Sequence, residues 1–115
     1  GAWLDALRKY LWENYEYLCH FFEEHLPQYS VLPLEGTYLV WIDCRASGIG
    51  SDAITLRLQK EQKLLVNSGT MYGPGGEGFI RLNIACPRIL LADGLERILK
   101  YIRKHMRLLP HGKIR

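Results

Sequence analysis

The sequence predicts an α+β fold in which a small antiparallel or mixed sheet of three to four strands is covered by helices on one face. Three observations predict it. Two stretches, near the start and the end of the 115 residues, repeat apolar side chains every three or four positions, the period of a helix. Between them, TYLVWIDC and FIRLNIA alternate with the period of two that marks a strand. The elements then run helix, strand, helix, strand, strand, helix, with no internal repeat and no break that would divide residues 1–115 into two domains.

The first helix spans about Ala2 to Leu26, where Leu4, Leu7, Leu11, Tyr15, Leu18 and Phe22 form one stripe. Asp5, Arg8, Lys9, Glu13, Glu16, Glu23 and Glu24 occupy the other side, and Pro27 ends the helix. Aromatic residues lie on more than one side of it (Trp3, Trp12, Tyr15, Tyr17, Phe21, Phe22), more than one small core needs. A second surface is therefore expected to meet something outside this sequence.

PQYSVLPLEG, at 27–36, is a connection rich in turn residues, and TYLVWIDC at 37–44 is a strand with Tyr38, Val40 and Ile42 on one face and Leu39, Trp41 and Asp43 on the other. ASGIGSD is a loop in which Ser51 or Asp52 is expected to cap a short helix over about 52–62. LLVNSG is a brief strand, MYGPGGEG a glycine-dense turn, and FIRLNIA the next strand. After Pro87, the spacing of Leu91, Leu95, Ile98, Ile102 and Met106 predicts a last helix to about Leu108.

Composition narrows the function classes. A hydrophobic share of 48% with 23% charged residues excludes a disordered or low-complexity chain, and no apolar run approaches a membrane span. The opening GAWLDALRKY has no Met and no secretory pattern, so Gly1 is read either as a tag remnant or as a start inside a longer protein. Cys19, Cys44 and Cys86 are odd in number and lack CxxC spacing, which fits a reducing, cytoplasmic setting better than a disulfide framework or a zinc ribbon. The net charge of +3 owes much to Arg97, Lys100, Arg103, Lys104 and Arg107, which are read as a solvated helix face in preference to a nucleic-acid surface.

Most chemical motifs are incomplete. GPGGEG could cradle a phosphate, yet no GK[ST] follows, Pro74 has no N–H, and the loop feeds a strand where phosphate loops feed a helix. Cys19, His20 and His25 do not share a helix face, so no metal site is expected. Ser47, Ser51 and Ser68 lack a nucleophile motif, and no self-sufficient hydrolase is expected. Arg81 is different. It sits mid-strand on the face opposite Ile80, Leu82 and Ile84, shares that face with Asn83, and follows a glycine-rich loop. A planar, permanently charged fork beside an amide suits two-point recognition of a carboxylate, which binds one end of a substrate and breaks no bond.

EGTYLVWIDCR at 35–45, NSGTMYGPGGEGFIRLNIACPR at 67–88 and the opening AWLDALRKYLWENYEYL together resemble the C-terminal small domain of pyridoxal-phosphate C–S lyases. These are the cystathionine β-lyase relatives in the fold-type I aminotransferase superfamily. The resemblance implies that Arg81 clamps the substrate α-carboxylate, that the loop from Ser68 and Gly69 to Tyr72 lies beside the substrate, and that Asn83 and Arg88 match the motif without a defined role. The proline-glycine that many relatives carry at this turn is Ser68-Gly69 here.

The resemblance also implies what this chain lacks. The cofactor lysine and the residues gripping the cofactor's ring and phosphate belong to a large domain upstream, and no lysine here stands in a matching context. The expected parent is a homodimeric enzyme using pyridoxal 5'-phosphate for β-elimination from sulfur amino acids. The chain alone is expected to be inactive, with no catalytic residue, metal or bound cofactor, and with the missing large domain and the amino-acid substrate as partners. An aminotransferase parent keeps the same clamp, and a stand-alone binding module is the third reading.

Overall fold

Three α-helices, four strands and three short 3-10 turns make up the regular structure of the described residues, 1–34 and 38–106, of the computed structural model. In chain order the α-helices and strands are α1 (Ala2–His25), β1 (Ser30–Val31), β2 (Leu39–Asp43), α2 (Ser51–Gln62), β3 (Asn67–Ser68), β4 (Phe79–Asn83) and α3 (Arg88–Met106). The strands form one sheet in the order β1-β2-β4-β3, and every pairing is antiparallel. The expected α+β sheet with helical cover is therefore present, in its four-stranded, wholly antiparallel form.

Alternation in β2 and β4 creates the two faces of that sheet. Val40, Ile42, Ile80 and Leu82 are buried towards the helices, where Leu18, Phe22, Leu58, Leu95 and Ile98 meet them to build the core. The other face carries Leu39, Trp41 and Asp43 from β2 and Phe79, Arg81 and Asn83 from β4, all partly or fully exposed. In register, Trp41 pairs with Arg81 and Leu39 with Asn83, so the two central strands place an aromatic ring beside the cation. Tyr38, expected with Val40 and Ile42, lies outside the strand and is exposed.

The helices hold the sheet unevenly. In α1 the stripe is buried only from Asn14 onward: Leu18 and Phe22 are in the core, whereas Leu7 and Leu11 are half-buried and Leu4 is exposed. Trp3 is 77% exposed and Trp12 51%, as expected for a helix with an apolar surface beyond one small core. The helix stops where Pro27 dictates, with the N–H of Leu26 still reaching the Phe22 carbonyl at 2.8 Å. On α3 the predicted Leu91, Leu95, Ile98 and Ile102 are all buried, and Leu99 and Tyr101 join them. The Met106 side chain and the end expected at Leu108 lie outside the described residues.

Two expectations change. Neither Ser51 nor Asp52 caps α2: the residue before the helix is Gly50, and the Ser51 N–H is received by Glu77 Oε1 at 3.2 Å. A carboxylate from 26 residues away supplies the acceptor that the local sequence was expected to supply. LLVNSG is not a strand throughout. Lys63 turns left-handed (φ 56°) to close α2, so Leu64 to Val66 return towards the sheet unpaired and only Asn67 and Ser68 join β4.

Candidate functional site

The site begins with the strand register. Arg81 lies opposite Trp41 on β2 and opposite Asn67 on β3, so three side chains share one row across the outer face. The chain leaves β3 through Gly69 and a tight turn at Gly69–Tyr72, which folds Tyr72 back over the row. The guanidinium carbon of Arg81 stands 3.6 Å from the Tyr72 ring centroid and 5.8 Å from that of Trp41. Asn67 Nδ2 donates to the Tyr72 hydroxyl at 3.1 Å, and Tyr72 meets Trp41 edge-on at 5.6 Å.

The Arg81 side chain makes no hydrogen bond and no ion pair with any described residue, and its Nε is buried without an acceptor. Its neighbour on the same face shows the usual alternative. Arg45, over the Phe79 ring at 5.1 Å, gives Nε and a terminal nitrogen to Asp43 at 3.0 and 2.8 Å. Those bonds hold the Asp43 carboxyl below the usual carboxylate range. One arginine of this face is neutralised by its own strand, and the other is left with its donors free.

The turn that carries Tyr72 is fixed from beneath. Gly69 and Gly76 approach backbone to backbone, so a Cβ on either would collide with the other, and one on Gly69 would also come within 2.8 Å of the Trp41 ring. Ser68 Oγ donates to Ser51 Oγ at 3.0 Å, and the Gly78 N–H reaches the same Ser51 oxygen at 3.1 Å. Thr70 Oγ1 donates to Asp52, and that bond is the main cause that lowers the Asp52 pKa. The N–H groups of Thr70, Gly73, Gly76, Glu77 and Gly78 all have acceptors inside the protein. These amides tie the loop to itself and to α2, which is a different use from cradling a phosphate.

Of the residues expected at the site, Arg81 and Tyr72 are brought into contact. Ser68 is only 5% exposed and Gly69 is buried, so both support the turn from below. Asn83 is on the Arg81 face but its Oδ1 receives the Ala85 N–H at 2.7 Å, a local turn at the end of β4. Trp41 and Asn67 were not among the expected site residues. The only sequence signal for them was alternation, which assigns each to the face of its own strand but cannot align the strands. Beside the start of β3 and the end of β4, at the edge of the sheet, is a cleft of about 330 Å³ lined by Leu39, Val66, Asn67, Arg81, Leu90 and Leu91 among others.

The remaining candidates are otherwise engaged. Arg88 gives its Nε to Asn14 Oδ1 at 2.8 Å and lies over the Tyr17 ring at 4.7 Å. Asn14, fully buried, donates to the carbonyls of Ile84 and Cys86 at 2.9 Å each, and the Tyr10 hydroxyl also reaches the Cys86 carbonyl. On α3, Arg97 bonds Asp93 and the Gln62 carbonyl, and Lys104 and His105 share Glu61. The described residues contain no cluster of three groups able to hold a metal ion, and none of their helices is long and apolar enough to cross a membrane. Burial pushes the Cys44 thiol up to about 12.

No protein-family model matches the chain. It is 40% identical, over 85% of its length, to cystathionine β-lyase PatB of Bacillus subtilis, and it covers 25% of that protein. Its fold matches cystalysin from Treponema denticola, whose crystal structure contains pyridoxal 5'-phosphate, with a TM-score of 0.84 at 34% identity over 90% of this chain and 26% of that one. A pyridoxal-phosphate-bound protein of Clostridium difficile 630, provisionally named an aminotransferase, matches with a TM-score of 0.81 at 36% identity over 85% of this chain and 25% of that one.

The chain therefore spans about a quarter of the length of the relatives it matches. Among the described residues no lysine lines the Arg81 cleft, Lys63 turns back on the Lys60 carbonyl, and Lys104 is held by Glu61. Sequence identity, shared fold and the extent of the match lead to one placement: this chain is a domain-sized part of the fold-type I pyridoxal-phosphate enzymes that include the cystathionine β-lyase-like C–S lyases and the aminotransferases.

Proposed function

We propose that this chain is the C-terminal small domain of a pyridoxal-phosphate-dependent C–S β-lyase and that Arg81 binds the α-carboxylate of its amino-acid substrate. One observation carries the reading: on the outer face the Arg81 guanidinium lies against the Tyr72 ring and near Trp41, with no carboxylate of the described residues to neutralise it. A substrate carboxylate meeting the edge of that fork makes two charge-assisted hydrogen bonds, fixes the substrate's orientation, and gains from the partial exclusion of water by Tyr72 and Trp41. The reaction of the whole enzyme is then elimination across the Cα–Cβ bond of a sulfur amino acid, with water completing its conversion to thiol, pyruvate and ammonia. The bond-breaking groups and the cofactor belong to the large domain outside this chain, so the chain alone is inactive and its role is anchoring.

The match to the Clostridium difficile protein supports a second reading, an aminotransferase parent with the same clamp. Full-length enzyme given cystathionine separates the two. Thiol and pyruvate released without any keto-acid acceptor support the lyase, and strict dependence on an acceptor overturns it.

A further inference from the structure

We propose that Tyr72 and Asn67 are positioning residues for Arg81: the Tyr72 ring sets the plane of the guanidinium, and Asn67 sets the ring. The proposal rests on the reading of Arg81 as the carboxylate site and goes beyond it, because it places two further residues behind the one that touches substrate.

An arginine side chain has many rotamers and loses about 2 kcal/mol of freedom when it is fixed, so an unpaired arginine on a solvent-facing sheet would ordinarily move among several of them. Here its guanidinium carbon is 3.6 Å from the Tyr72 centroid, within the range at which a cation is drawn to a π face. At so short a separation an edge-on fork would drive its nitrogens into the ring, so the contact is made with the face of the guanidinium. A carboxylate uses its edge, where the N–H bonds lie in the plane, so stacking and carboxylate binding do not compete.

The ring is itself restrained at three points. Its hydroxyl accepts from Asn67, its neighbour Trp41 meets it at 76°, and its backbone follows the Gly69–Gly76 contact. Asn67 stands directly across the ladder from Arg81, so the strand pairing that locates the arginine also locates the donor that fixes the ring. Because the Asn67 amide is directed to Tyr72, it leaves the donors of Arg81 unaltered.

The test compares S-ethyl-L-cysteine with its methyl ester in the full-length enzyme, since only the acid offers a carboxylate. Tyr72→Leu should raise KM for the acid about tenfold, with kcat within about twofold and the ester nearly unaffected. Tyr72→Met, also without a π face, gives the same readout should the leucine variant fold poorly. Tyr72→Phe keeps the ring and should cost about twofold, Asn67→Leu the same, and the two together no more than either alone.

Losses shared equally by acid and ester, or a phenylalanine variant as impaired as the leucine one, would overturn the proposal. Arg81→Lys is the separate control for the underlying reading. If it fails to discriminate acid from ester, the carboxylate site is wrong; if it does discriminate while Tyr72→Leu and Tyr72→Met do not, only the positioning role is wrong.

Discussion

Two regions of this chain are built from the same three residue types and behave in opposite ways. At the middle of α1, Asn14, Arg88 and Tyr17 form a closed group in which the amide oxygen receives the arginine and the amide nitrogen satisfies two backbone carbonyls. On the outer sheet face, Asn67, Arg81 and Tyr72 form an open one, in which the amide turns to the tyrosine and the arginine keeps its donors. The difference is where the asparagine points. Closed, the group is an internal joint; open, it leaves a cation that no carboxylate of the described residues neutralises.

Breaking the closed group should have the largest effect on stability. Asn14→Leu leaves the Ile84 and Cys86 carbonyls and the Arg88 Nε without their buried partner, and is expected to cost about 3 kcal/mol in urea unfolding. A loss under about 1 kcal/mol would mean that water replaces the amide and the joint is not closed. The paired substitutions Arg88→Met and Arg81→Met sharpen the contrast at intermediate size. Arg88→Met should lose about 1 kcal/mol of stability and leave substrate KM alone, whereas Arg81→Met should leave stability within about 0.5 kcal/mol and raise KM steeply. The reverse outcome would exchange the roles of the two regions.

The smallest effect concerns the arginine that is neutralised on the open face. Asp43 has its folded-state pKa lowered by Arg45, so its contribution is fully present above the unfolded value, near pH 4, and is lost as pH falls through the folded value. Asp43→Asn should therefore reduce stability slightly at neutral pH and flatten its decline in the acid range below about pH 4. An unchanged acid profile in urea or thermal unfolding would show that the pair adds nothing there. Arg45 is exposed, which keeps the effect small.

The fold was legible because its signals are periodic and local: the stripe of α3, the alternation of β4 and the stop at Pro27 each need only a few neighbouring residues. Arg81 was legible for the same reason, as a cation on the wrong-looking face of a strand. Trp41 and Asn67 were not, since their nearness to Arg81 depends on a register between strands set by long-range packing. The replacement of an expected Ser51 or Asp52 cap by Glu77 has the same origin: the acceptor arrives from a loop whose path depends on one glycine lying against another. Asn14 was hidden most completely, as a single polar residue in a helix whose pattern speaks only of its apolar stripe.

Asn14 also divides α1 mechanically. Ahead of it the helix stands largely clear of the core, and at it the helix is tied to Ile84 and Cys86, at the end of the strand that carries Arg81. Whatever meets the exposed Trp3 and Trp12 is therefore carried on a segment tied to the backbone three residues from Arg81.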